Sequence, residues 1–193
     1  MNYREAVEQY VPRDDQERSD RSVMLEYIAR FPENILTREN RFAHFTASAL
    51  VVNGAGDKVL MAHHNIYQTW AWPGGHADGE SDLLPVALRE AREETGIQTL
   101  RPLSEAPASL EILPVWGHVK RGAYVSAHQH LNLSYLFAAD EGEPLRPCPG
   151  ENTRVAWLPA DRLLHFTQEP QMDFVYRKLL ERVGETFRQN AAE

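Results

Sequence analysis

The sequence predicts an α/β fold, a mixed β-sheet with helices packed on it, and three stretches carry that reading. Thr46–Asn53 and Lys58–His63 are rich in strand-forming residues and are joined by Gly54-Ala55-Gly56-Asp57, the pattern of a hairpin. The stretch from Asp82 to Thr95 has helical apolar spacing and stops at Gly96, a residue that readily closes a helix. Glu169–Val183 places Met172, Val175, Leu179 and Val183 at helical spacing. Strands and helices mixed in this way pack as layers around a common sheet.

Taken in order, residues 1 to about 40 are charged and helix-prone, with Val23, Leu25, Ile28 and Ala29 as a short apolar stripe. That stripe caps the core, pairs with a second copy to give a homodimer, or only covers an edge. The domain proper is expected over residues 41–193, with 1–40 as a helical extension. After the hairpin, Ile66–Trp72 adds a short strand before the turn at Pro73-Gly74-Gly75. The helix that follows is expected to start from Asp82 as N-cap. Pro85 then falls at the third helical position, where its missing N–H has no intrahelical partner to lose. Later strand-like runs lie at Ser109–Val119, Leu131–Ala138 and Arg154–Leu158.

At 193 residues with 42% apolar content, the chain can bury one good core. A net charge of −8 argues against a protein that grips nucleic acid through its phosphates, although an acidic protein can hold small nucleotides through divalent cations. The single Cys148 excludes an intrachain disulfide, and no apolar run is long enough to span a bilayer. The charged N-terminus has no signal core, so the cytoplasm is the expected compartment, with no membrane partner.

The chemistry is expected between Gly74 and Ile97. On a helix, Glu90, Glu93 and Glu94 are related by three and four residues and project from one side, while Leu84, Leu88, Ala91 and Thr95 form a separate core-facing stripe. Three converging carboxylates repel one another, and a hard divalent cation turns that repulsion into binding. Arg89 stands one turn before Glu93 and can orient it. Gly74 and Gly75 let the backbone approach an ion or phosphate. A solvated acidic helix face is the commoner meaning of paired glutamates. Here, however, a glycine, the arginine, the glutamates and a closing glycine all fall at fixed offsets.

That combination resembles the Nudix box, matching Gly75, Arg89, Glu90, Ala91, Glu93, Glu94, Gly96 and Ile97. One position departs: the first glutamate of the box is Ser81 here, flanked by Glu80 and Asp82. The resemblance implies an α/β/α sandwich with a mixed β-sheet. It also implies a pyrophosphohydrolase that cleaves a nucleoside diphosphate linked to another moiety, or a related nucleotide, by attack of water on phosphorus. Glu90, Glu93 and Glu94 would ligate Mg²⁺ or Mn²⁺, with the Gly74 carbonyl as an extra ligand, and Arg89, Glu90 and Glu93 would carry the catalytic work. The general base varies across the family; Asp140, Glu141, Glu143 and Glu151 are the acidic candidates outside the box. A silent Nudix sensor would have lost its glutamates, and an isoprenoid diphosphate isomerase would need a catalytic cysteine in a motif that Cys148 lacks.

Around the box, Trp72, His76, Lys120, Arg121, His128 and His130 are the residues expected at the substrate. His128 and His130 are two apart on a strand and share a face, but a zinc site would need a third ligand that spacing alone does not place. Of Tyr67, Trp70 and Trp72, one is expected to stack on a base and the others to pack.

Overall fold

A computed structural model of the chain describes residues 1–66, 68–120 and 122–190, the side chains of Lys120 and Asn190 apart. Helices α1 (Tyr3–Gln9) and α2 (Asp15–Arg30) precede strands β1 (Ala43–Asn53), β2 (Lys58–His64), β3 (Trp70–Ala71) and β4 (Gly74–His76). Helix α3 (Leu83–Thr95) follows, then β5 (Arg101–Pro102), β6 (Ser109–Val115), β7 (His118–Lys120), β8 (Ala123–Val125), β9 (His128–Ala139) and β10 (Asn152–Pro159). A 3₁₀ segment at Ala160–His165 leads to the last helix, α4 (Pro170–Asn190).

Eight strands form one sheet in the order β10-β2-β1-β9-β5, with β3 on β2, β4 on β1 and β6 on β9; β7 and β8 make a separate hairpin. The sheet is mixed. β1 and β9 run parallel, from Ala43 opposite Gln129 to Asn53 opposite Ala139, and the remaining pairs are antiparallel.

Alternation along β1 assigns its residues to two cores. Phe45, Ala47, Ala49 and Val51, with Leu131, Leu133, Tyr135 and Phe137 of β9, face a layer holding Leu83, Val86, Ala87 and Ala91 of α3. Leu50, Val52 and Leu136 face α4 through Met172, Val175, Tyr176, Leu179 and Val183. Helices therefore cover both faces. The inward stripe of α3 keeps the expected Ala91 and Thr95 and is shifted by one residue in the first two turns. Leu83, Val86 and Ala87 are fully buried, whereas Leu84 and Leu88 pack at its margin.

The N-terminal helices join the α3-side core through Ala6, Val7, Met24 and Ile28. Here too the expected stripe holds only in part: Ile28 is buried as expected, but Val23 and Ala29 are exposed and Leu25 is half-buried. α2 also covers the outer edge of β6. Gln16 Nε2 donates to the Leu110 carbonyl at 3.2 Å and Asp20 accepts from the Ile112 N–H at 2.9 Å, which satisfies backbone groups that an open edge would expose. Buried Glu17 accepts from Arg182 at 2.6 Å and Lys178 at 3.2 Å, tying α2 to α4. The segment before β1 reaches the loop ahead of α3, where the Tyr3 N–H donates to the Ser81 carbonyl at 2.6 Å and Arg38 donates twice to Asp78 at 2.9 and 2.7 Å. Among the described residues, no helix is long and apolar enough to cross a membrane.

Candidate active site

The site is built where β4 meets α3. Asp82 caps α3 by accepting from the Leu84 N–H at 3.3 Å, Pro85 takes the third helical position, and Gly96 closes the helix in the left-handed region at φ 78°. These caps set the angular phase of the helix, and that phase turns Glu90 and Glu94 toward β4. Gly75 makes the approach possible: a Cβ there would run into the Glu90 carboxylate. On the next turn, Glu94 Oε1 accepts from the Gly74 N–H at 2.9 Å. The glycine pair thus meets two carboxylates.

Glu151, on the loop between β9 and β10, completes the group. Carboxylate oxygens of Glu90, Glu94 and Glu151 all lie within 4.8 Å of one another. Of the four acidic residues expected as possible bases, it is the one at this place. Glu141 pairs with Lys58 at 2.7 Å, Glu143 accepts from the Gln98 and Thr99 N–H groups at 2.7 and 3.0 Å, and Asp140 accepts from the Gly142 N–H at 2.9 Å. Glu93 stands outside the group, with its side chain 59% exposed.

Electrostatics explain what this group needs. Burial pushes the Glu94 carboxyl up to about 8; Glu151 and Glu90 add to the rise and the Gly74 N–H opposes it. Burial raises Glu90 as well, against the pull of Arg89. Charged carboxylates gathered out of water carry a desolvation cost that a cation offsets. All-oxygen donors beside an open glycine backbone fit a hard divalent ion.

Arg89 does not act chiefly on Glu93, from which its Nε stands 3.9 Å away. Its guanidinium donates to Glu90 at 3.0 Å and to Glu80 at closer range. Glu80, beside the Ser81 departure, therefore meets the arginine that holds Glu90.

Trp72 is half-buried, with its ring edge-on to Tyr176 at 5.2 Å and its backbone N–H donating to the Tyr176 hydroxyl at 3.4 Å; Trp70 packs edge-on to His63 at 5.4 Å beneath Arg154. Lys120 ends β7 on the small hairpin, while Arg121 and Tyr67 lie outside the described residues. His76, His128 and His130 come together, and sequence reasoning missed the fourth member, His44. The His44 ring lies 5.1, 4.9 and 5.2 Å from those of His76, His128 and His130. His44 stands opposite His130 across the parallel pairing, in a strand that begins three residues before the expected Thr46. Burial lowers His44, and burial with its histidine neighbours brings His130 down to about 2, so both rings are neutral near pH 7.

Comparison with known proteins agrees with this geometry. The NUDIX domain family model matches residues 43–183. The RNA pyrophosphohydrolase of Brucella anthropi is 32% identical over 130 residues, covering 63% of this chain and 71% of that protein. Its counterpart in Brucella abortus is 33% identical over 134 residues, covering 65% and 71%. Among solved structures, a C. elegans Ap4A hydrolase binary complex superposes with a TM-score of 0.53 at 18% identity, over 73% of this chain and 98% of that one. The MutT protein from Methanosarcina mazei Go1 gives 0.51 at 16% identity, over 78% and 97%. Those two structures speak to the fold alone. The family model spans most of the chain and includes both β4 and α3. The chain belongs to the Nudix family, and it is a divalent-metal-dependent hydrolase of pyrophosphate bonds.

Proposed function

We propose that Glu90, Glu94 and Glu151 hold Mg²⁺ or Mn²⁺ against the backbone of Gly74 and Gly75, with Glu93 reaching the ions from the solvent side. The observation that carries this reading is the convergence of three carboxylates beside the glycine pair, where a Cβ on Gly75 would displace the Glu90 carboxylate. The bound ions supply neutralisation of the diphosphate and a more acidic attacking water. Arg89 keeps Glu90 in place while Glu80 restrains the arginine from the other side. In the reaction, water oxygen bonds to phosphorus, the P–O bond of the anhydride breaks, and a carboxylate takes the proton of the water. Glu151 is our choice for that base, because it enters from a separate loop and can move without disturbing α3.

The substrate class we assign is a small nucleotide whose diphosphate is linked to another moiety, with Trp72 beside the base. The relatives named for RNA favour a second reading, a 5′-phosphorylated RNA end, and the net charge of −8 weighs against it. We place the protein in the cytoplasm. Purified protein assayed with Mg²⁺ and with Mn²⁺ on nucleoside diphosphate derivatives, nucleoside triphosphates and a 5′-triphosphorylated RNA decides between them. Preference for a nucleoside diphosphate derivative supports the first reading; turnover of the RNA alone replaces it with the second.

A further inference from the structure

We infer that His44, His76 and His130, with His128 beside them, form a second metal site for an imidazole-preferring divalent ion of the Zn²⁺ class, separate from the carboxylate group. Ligand nitrogens of His44, His76 and His130 lie within 4.8 Å of one another. They come from three strands, β1, β4 and β9, and none of these ring positions is set by local sequence spacing. Nitrogens that share one zinc at ~2.0–2.1 Å stand about 3.3 Å apart in a tetrahedron. The His128 and His130 Nε2 atoms already stand at 3.3 Å.

The outer hydrogen bonds fix the tautomers that a metal requires. His44 Nδ1 lies 3.0 Å from the Asn40 carbonyl and His128 Nδ1 lies 2.9 Å from the Ser126 carbonyl. A carbonyl oxygen only accepts, so each Nδ1 carries the proton and each Nε2 keeps its lone pair. A carbonyl behind the ring is the usual support of a metal-binding histidine. Hydrogen bonding between rings accounts for the His128–His130 contact. It leaves His44 Nε2 buried with no partner among the described residues, and an unmet buried acceptor is costly. A cation accepts that lone pair along with the others.

The two sites are set back to back. His76 follows Gly75 in β4, and successive residues of a strand face opposite ways, so the Gly75 face meets Glu90 while His76 turns to the histidines. A metal there would tie β4, which leads into the loop ahead of α3, to β1 and β9.

The test uses the full chain stripped by a chelator and dialysed, titrated with Co²⁺ by visible absorption and with Zn²⁺ by calorimetry. The wild type and the Glu90→Gln/Glu94→Gln variant should each take up a single equivalent with an intense tetrahedral Co²⁺ band that survives excess Mg²⁺. His44→Ala and His130→Ala should lose the band and bind Zn²⁺ roughly ten-fold or more weakly. His76→Asn, at a half-buried position, gives the same readout if the buried variants fail to fold. No band in the folded wild type overturns the inference. So does a band retained in the histidine variants, or one lost only in the carboxylate variant.

Discussion

Glu94 shows how one side chain couples stability to the metal. Its folded pKa of about 8 lies above the ordinary 4.5, so between those values the native chain binds a proton that the unfolded chain has released. Stability of the metal-free protein therefore falls as pH rises through that window. We expect its Tm to drop from about pH 5 to pH 8, and Mg²⁺ or Mn²⁺ to raise Tm more at the upper end. Glu94→Gln should flatten the metal-free profile, abolish the Tm response to metal and lower kcat by orders of magnitude. A variant that melts and turns over like the wild type would remove Glu94 from the site. Gly75→Ala probes the same geometry from the backbone side. Its Cβ occupies the place of the Glu90 carboxylate, so kcat should fall by roughly 100-fold or more while circular dichroism stays native. At the Ser81 departure, Asp82→Ala should cost about 1 kcal/mol through the lost cap. Glu80→Gln should act through Arg89 and lower kcat without unfolding the protein; unchanged kinetics would show that Glu80 is dispensable. These positions were legible because the box is a local pattern. The offset of four residues on one helix placed Glu90 and Glu94 together, whereas Glu93, expected with them, faces solvent outside the group.

Elements that depend on distant partners were read less well. The apolar faces of α2 and α3 kept Ile28, Ala91 and Thr95 where expected but were otherwise displaced, because several neighbouring apolar residues satisfy the same period. Tertiary packing chose Met24 and Ile28 in one helix and Leu83, Val86 and Ala87 in the other. The role of α2 was invisible for a further reason: its partner charges, Lys178 and Arg182, are more than 150 residues away. Burial alone would raise the Glu17 carboxyl, but hydrogen bonds from Arg182, the Arg13 N–H and Tyr10 bring it to about 2. A folded pKa below the ordinary 4.5 means stability that is present above 4.5 and lost as pH falls toward 2. Glu17→Gln should destabilise by about 3–5 kcal/mol, since Arg182 would remain buried without its carboxylate partner and Lys178 would keep only Glu111. It should also flatten the acid limb of a urea-monitored stability profile; an unchanged limb would mean that the network is not coupled to folding. Deleting residues 1–38 should lower Tm by a similar route, because it uncovers the β6 edge and the Ala6, Val7, Met24 and Ile28 face.

At the scale of the molecule, the layered fold followed from the strand-rich hairpin of β1 and β2 and from the two helices at Asp82–Thr95 and Glu169–Val183. The assembly of the site did not. Glu151 was one acidic residue among several, and its place beside Glu94 comes from the turn that carries the chain from β9 into β10. His44 came into view only with the parallel register that sets it opposite His130. Long-range pairing places both residues, and no window along the chain contains it. The central claim is that the carboxylate group directs water to phosphorus in a pyrophosphate bond. Hydrolysis in ¹⁸O water tests it most directly, with the best substrate of the panel, with and without EDTA, and with the products examined by mass spectrometry. Water attack at phosphorus puts ¹⁸O in a phosphate product, and EDTA stops turnover. Label found only on a sugar or alcohol carbon, or full turnover in EDTA, would contradict it.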